Sequence, residues 1–146
     1  MTSLAIVRRI AARPSIVFDA ITQPDGIALW WGPDGGPVLS AKTDLRVGGR
    51  FCVRFRMLDG SEHESSGEYL EITPPERLAM SWRWTGGEED PGESRLEFHL
   101  RPIPEGTELT LTHSLLRDEA SAKSHEEGWS GSLDKLQRHF AERRVS

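Results

Sequence analysis

The chain has 146 residues, 36% of them hydrophobic, a size that suits one domain and leaves little room for a second, so residues 1–146 are read as a single unit. Its 23 acidic and 18 basic residues give a formal charge of −5, which counts against a nucleic-acid role built on bulk electrostatics. Cys52 is the only cysteine and no apolar run approaches the ~20 residues that span a bilayer, so the expectation is a cytoplasmic protein with neither a disulfide nor a membrane insertion.

In chain order, Leu4 to Ala11 reads as a first strand, ended by Arg13-Pro14. Pro14 suits the first position of a helix, where its missing N–H is no loss. Ile16, Val17, Ala20 and Ile21 then recur at helical spacing for about two turns. Thr22-Gln23-Pro24-Asp25 repeats the start signal for a second short helix running through Ile27, Leu29, Trp30 and Trp31, and residues 32–37, rich in Gly and Pro, break it.

From Val38 to Leu116 the period changes to two, and about six antiparallel strands are expected. Phe51, Val53, Phe55 and Met57 alternate with polar neighbours ahead of the hairpin signal Asp59-Gly60, and Gly67 to Ile72 returns. Leu78, Met80, Trp82 and Trp84 form the next inward row, followed by an acidic turn over residues 86–92. Leu96, Phe98 and Leu100 follow, then Leu109, Leu111, His113 and Leu115 after the turn Pro104-Glu105-Gly106. Short strands joined by hairpin-scale turns specify a meander.

The tail returns to helical spacing. Ser124 and Glu127 match a capping box at its start. With Trp129 at zero, Leu133, Leu136 and Phe140 fall within about 40° of it, a narrow buried stripe. Glu127, Asp134, Lys135 and Arg138 read as the solvated face, and Ser130 and Ser132 as small surface residues. The architecture is therefore α+β: a curved antiparallel sheet of about six to seven strands around a long C-terminal helix, with two short helices after the first strand.

The residues carry little sign of chemistry. His125-Glu126 fails as a zinc-protease motif because Trp129 stands where the second His belongs, and Cys52 lacks partners at ligand spacing, so neither a metal nor a cofactor is expected. No glycine-rich stretch leads into the Lys-Ser/Thr of a phosphate loop. What the patterns do share is one interior volume. Phe51, Phe55, Met80, Trp82, Trp84 and Phe98 from the strands converge with Trp129, Leu133 and Leu136 from the helix. His113 lies in the inward row, so a polar group faces an apolar room, the usual composition of a small-ligand site.

These segments resemble a known family. Val17-Phe18-Asp19-Ala20-Ile21-Thr22, Trp30-Trp31-Gly32-Pro33, Asp44 to Phe51, Gly67-Glu68-Tyr69-Leu70-Glu71-Ile72-Thr73-Pro74-Pro75-Glu76-Arg77-Leu78, Thr107 to His113 and Gly128-Trp129 with Leu133 and Leu136 are similar, in this order, to the family named after the activator of the Hsp90 ATPase. It belongs to the START-like (SRPBCC) superfamily of helix-grip folds. The resemblance implies a cavity between sheet and helix, with Trp30 and Trp31 near its mouth, Tyr69, Trp82 and His113 on the sheet wall and Trp129 on the helix wall. Three functions follow as expectations. The first is non-enzymatic binding of a small hydrophobic or aromatic molecule, by a monomer or homodimer. The second is a co-chaperone-like interaction with an Hsp90-type ATPase or another protein. The third is a cyclase or hydrolase using His113, with His125 a distant second as acid or base.

Overall fold

The computed structural model describes residues 2–32, 34–85 and 93–145, apart from the side chains of residues 84, 85 and 142–145. In chain order the elements are β1 (Thr2–Ile10), α1 (Pro14–Thr22), α2 (Pro24–Ile27), β2 (Val38–Thr43), β3 (Arg50–Arg56), β4 (Glu62–Thr73), β5 (Arg77–Thr85), β6 (Ser94–Ile103), β7 (Gly106–Leu116) and α3 (Glu119–Val145). The strands form a seven-stranded sheet in the order β1-β7-β6-β5-β4-β3-β2, and every neighbouring pair is antiparallel. Five hairpin steps thus run from β2 to β7, and β1 closes onto β7 from the far end of the sequence.

The period-two rows hold. Phe51, Val53 and Phe55 on β3, Leu78, Met80 and Trp82 on β5, Leu96, Phe98 and Leu100 on β6 and Leu109, Leu111 and His113 on β7 are all buried on one face. The other face carries cross-strand charges, including Arg77 between Glu71 and Glu97. Gly67 is needed on β4: a Cβ there would stand 1.9 Å from the Ser81 carbonyl oxygen and 2.9 Å from the Phe51 ring.

Four readings need correction. The second short helix stops at Ile27, and the chain continues through Ala28–Trp30 as a turn whose N–H groups reach back to Pro24, Gly26 and Ile27. The strand expected over Gly67–Ile72 begins five residues earlier, at Glu62. Leu115 leaves the inward row: it has φ 60° and is 53% exposed, while Leu116 takes the buried position. There Ser114 and Leu115 lie opposite the single residue Ser3, between the pairs Thr2↔Leu116 and Leu4↔His113, so a bulge slips the parity by one. The acidic turn over residues 86–92 lies outside the described residues.

The fourth correction concerns the start of α3, a helix of 27 residues. Ser124 is inside it and exposed. The cap is Asp118, whose Oδ1 accepts the Ser121 N–H at 2.8 Å while its carbonyl accepts the Ala122 N–H at 3.0 Å. Its carbonyl also receives the Thr2 hydroxyl at 2.9 Å, tying the first strand to the last helix. Asp118→Ala is therefore expected to cost about 1 kcal/mol in urea denaturation, and Ser124→Ala less than about 0.5 kcal/mol. α3 then buries Trp129, Leu133, Leu136 and Phe140 in the core, as the stripe requires.

Candidate functional site

The interior between sheet and helix is built from aromatic rings on four supports. Trp30 and Trp31 arrive on the segment after α2, Trp82 on β5, Phe98 on β6 and Trp129 on α3. Trp31 lies 5.7 Å from Trp82 and 5.6 Å from Trp129 between ring centroids, and Trp82 lies 5.0 Å from Trp129. Trp30 adds edge or tilted contacts to Trp31, Phe98 and Trp129. These are contact distances for offset and edge-to-face pairs. Around this cluster the opposing walls thus touch one another, and Trp30 and Trp31 are buried at its centre, not at a mouth.

Phe51 and Tyr69 extend the cluster along the sheet, Phe51 standing 5.6 Å from Tyr69 and 6.3 Å from Trp82. Burial pushes the Tyr69 phenol up to about 12, with Asp44 adding to the shift, so it stays neutral. Phe55 stands apart, stacked on His63 at 5.8 Å. Met80, Leu133 and Leu136 are buried core residues. Trp84 lies on β5 opposite Ser65, and its side chain is outside those described.

His113 is fully buried and engaged at both nitrogens. The Trp129 indole N–H donates to Nδ1 at 3.1 Å, so Nδ1 is the acceptor and the proton sits on Nε2. Nε2 then donates to Ser94 Oγ at 2.7 Å, and that hydroxyl turns to the Trp82 carbonyl at 3.4 Å. Burial, with a smaller contribution from His125, lowers the His113 pKa to about 3, so the ring is neutral. A general base needs a free nitrogen facing a substrate, and His113 spends both on the wall itself. His125 packs against it at 4.8 Å and donates from Nδ1 to the Ser121 carbonyl at 2.8 Å. Desolvation also lowers its pKa. Among the described residues no three His, Cys, Asp or Glu side chains group as a metal site.

The four tryptophans with described side chains differ in one respect. Trp30 donates to the Ala20 carbonyl at 2.9 Å, Trp31 to Ser65 Oγ at 3.4 Å and Trp129 to His113. Trp82 Nε1 is buried and has no hydrogen-bond partner among the described residues. A donor left in that state costs about 1–3 kcal/mol.

Two residues assigned to the surface of α3 belong to the site. Ser132 is 3% exposed and donates to the Gly32 carbonyl at 2.8 Å. Lys135 is half-buried, its ammonium donating to the carbonyls of Trp31 at 3.2 Å and Asp34 at 2.5 Å. Ser65, Ser94, Ser132 and Lys135 join the site only in the folded structure. Register offered a signal for the first two, since Ser65 is opposite Trp84 and Ser94 opposite Trp82. For Ser132 and Lys135 the only signal is their position beside the apolar stripe.

The sequence pattern of the family described as Activator of Hsp90 ATPase homolog 1-like protein, AHSA1, matches residues 11–141. The chain belongs to this family. Its fold is also that of solved AHSA1 structures. The AHSA1 protein from Silicibacter pomeroyi superposes with a TM-score of 0.84 at 28% identity, over 97% of this chain and 99% of that one. An uncharacterized protein from Rhizobium leguminosarum gives 0.82 at 26% identity, over 97% and 95%. The AHSA1-like protein from Aeromonas hydrophila, at 22% identity over 99% and 96%, shares the fold with a TM-score of 0.81. No curated protein matches the sequence. Like the expected helix-grip architecture, the seven-stranded AHSA1 sheet here curves around its C-terminal helix, and no described helix is long and apolar enough to cross a membrane.

Proposed function

We propose that this AHSA1 domain is a non-catalytic binding protein for a small, largely apolar molecule that carries a hydrogen-bond acceptor, taken up among Trp31, Trp82 and Trp129. The observation that carries this reading is the Trp82 indole N–H, buried in an aromatic wall and without an acceptor among the described residues. An apolar surround with an unspent buried donor recognises an apolar body that carries an acceptor. The neutral, doubly engaged His113 favours binding over catalysis.

The test is a matched pair of probes, 2-acetylnaphthalene with its carbonyl and 2-ethylnaphthalene without one, followed by tryptophan fluorescence. The ketone is expected to bind about fivefold to tenfold tighter. Trp82→Phe should reduce that preference to near unity. Absence of saturable binding by either probe, or a preference unchanged in the variant, would overturn the proposal.

The family's description supports a second reading, stimulation of an Hsp90-type ATPase. Equal stimulation of that ATPase by the wild type and Trp82→Phe would favour it over interior binding.

A further inference from the structure

Lys135 places a positive charge against the backbone of the segment that carries Trp31, and among the described residues no carboxylate forms an ion pair with it. The carboxylate that acts on it electrostatically, Asp34, accepts backbone N–H groups instead: its Oδ1 takes the Gly36 N–H at 2.8 Å and its Oδ2 the Leu58 N–H at 3.0 Å. The ammonium is left to the backbone carbonyls of Trp31 and Asp34. It lies 3.9 Å from where a Gly32 Cβ would be, and that same point is 3.4 Å from the buried Phe55 ring. Desolvation pulls the lysine's pKa below its ordinary value, with Asp34 opposing and the Arg138 charge adding to the fall. A partly desolvated cation held only by carbonyl dipoles gains from an anion far more than a solvated one does.

The same contacts bear on how the room could open. Its rings are already in contact, so an occupant must displace one wall. Trp82 is held in a strand paired on both sides, and α3 is fastened to β1 through Gln137 to the Arg9 carbonyl at 3.0 Å and Arg8 to Asp134 at 3.4 Å. Trp31 is the ring carried on irregular backbone, beside Gly32 at φ 101°. Its segment is held to α3 by the Ser132 bond and by Lys135 itself. Moving Trp31 aside therefore takes the carbonyls away from Lys135, and the released ammonium needs a new partner.

We infer that the interior ligand is an organic acid, its flat apolar body among Trp31, Trp82 and Trp129 and its carboxylate replacing the Trp31 and Asp34 carbonyls on Lys135. This rests on the interior-binding reading above and adds the chemical class. A neutral ligand would strand the ammonium on entry, whereas an acid supplies its partner in the same step.

Isothermal titration at neutral pH with 2-naphthoate and 2-naphthamide separates the two. The wild type is expected to favour the acid by about tenfold. Lys135→Met should bind both with similar affinity, and Lys135→Arg should keep the preference. Because Lys135 also tethers the loop, the acid-to-amide ratio is the decisive quantity: a purely structural lysine would weaken both probes equally and leave the ratio unchanged. Equal binding in the wild type, or a preference that survives Lys135→Met, overturns the acid assignment alone. Failure of both probes to bind the wild type overturns the interior site with it.

Discussion

Trp129→Phe is expected to destabilise the protein by about 1–3 kcal/mol more than Trp82→Phe, although the two substitutions remove the same atoms. Both replace an indole by a phenyl ring in the same cluster, where the parent rings lie 5.0 Å apart, so the volume lost is alike. They differ in the N–H that disappears. At position 129 it is the donor to His113 Nδ1, and its loss leaves a buried acceptor without a partner. At position 82 the N–H has no partner among the described residues to lose, and its removal relieves a desolvated donor. Trp129→Ala adds a cavity and should cost about 3–5 kcal/mol in total, a large share of the ~5–15 kcal/mol that holds an ordinary domain together. Urea unfolding of the three variants at neutral pH measures this series. A larger loss for Trp82→Phe than for Trp129→Phe would mean that the indole of Trp82 is satisfied in solution.

The second large effect is on acid stability. His113 has its pKa lowered to about 3 in the folded protein, from an ordinary value of 6.5, by burial first and His125 second. Its folded value is depressed, so the unfolded chain binds the proton more readily throughout that interval. Stability is then fully present above about pH 6.5 and falls as pH drops toward 3, with a slope of up to about 1.4 kcal/mol per pH unit from this residue. His125, depressed by desolvation, acts in the same direction. Glu97 carries a lowered carboxylate pKa, held there by Arg95 and Arg77 against desolvation, and its contribution is lost only below its ordinary 4.5. The window from pH 6.5 to 4.5 therefore belongs mainly to the histidines. His113→Gln keeps an acceptor for Trp129 and a donor for Ser94 but does not titrate. It should be slightly less stable than the wild type at neutral pH and lose less on acidification through that window, as melting temperatures at a series of pH values would show. Parallel curves for the two proteins would rule out a neutral, buried His113.

How far the site could be read in advance depended on how local each signal is. Side-chain alternation is set residue by residue along a strand, so the inward rows of β3, β5 and β6 were legible, and so was His113 within its row. Alternation failed at Leu115 because the bulge there is a property of two strands, absent from either one's own pattern. β2 escaped individual placement because Val38–Thr43 is an edge strand with no alternating apolar row. On α3, the angular stripe located Trp129 and Leu133. It placed Lys135 in solvent because nothing in a helical wheel shows that residues 31–34 fold across that flank. The first turns of α3 bury little, so an internal Ser and Glu at the right spacing passed for a cap while Asp118 held the true one. The unpaired N–H of Trp82 was the least legible feature, since hydrogen-bond satisfaction depends on what every neighbouring element happens to offer.

The closure of β1 on β7 has a consequence for how the protein is made. Residues 2–10 find their strand partner only in residues 106–116, and the Thr2 hydroxyl finds its acceptor at Asp118. During synthesis β1 must therefore wait, unpaired, until β7 has left the ribosome, while β2 to β6 can zip together hairpin by hairpin. Contacts of such long sequence separation are formed slowly because a large loop must be ordered to make them. The pairing of β1 with β7 is thus expected to be the late, rate-limiting event in folding, and the arginine pair Arg8-Arg9 on the waiting strand would help keep it in solution until then.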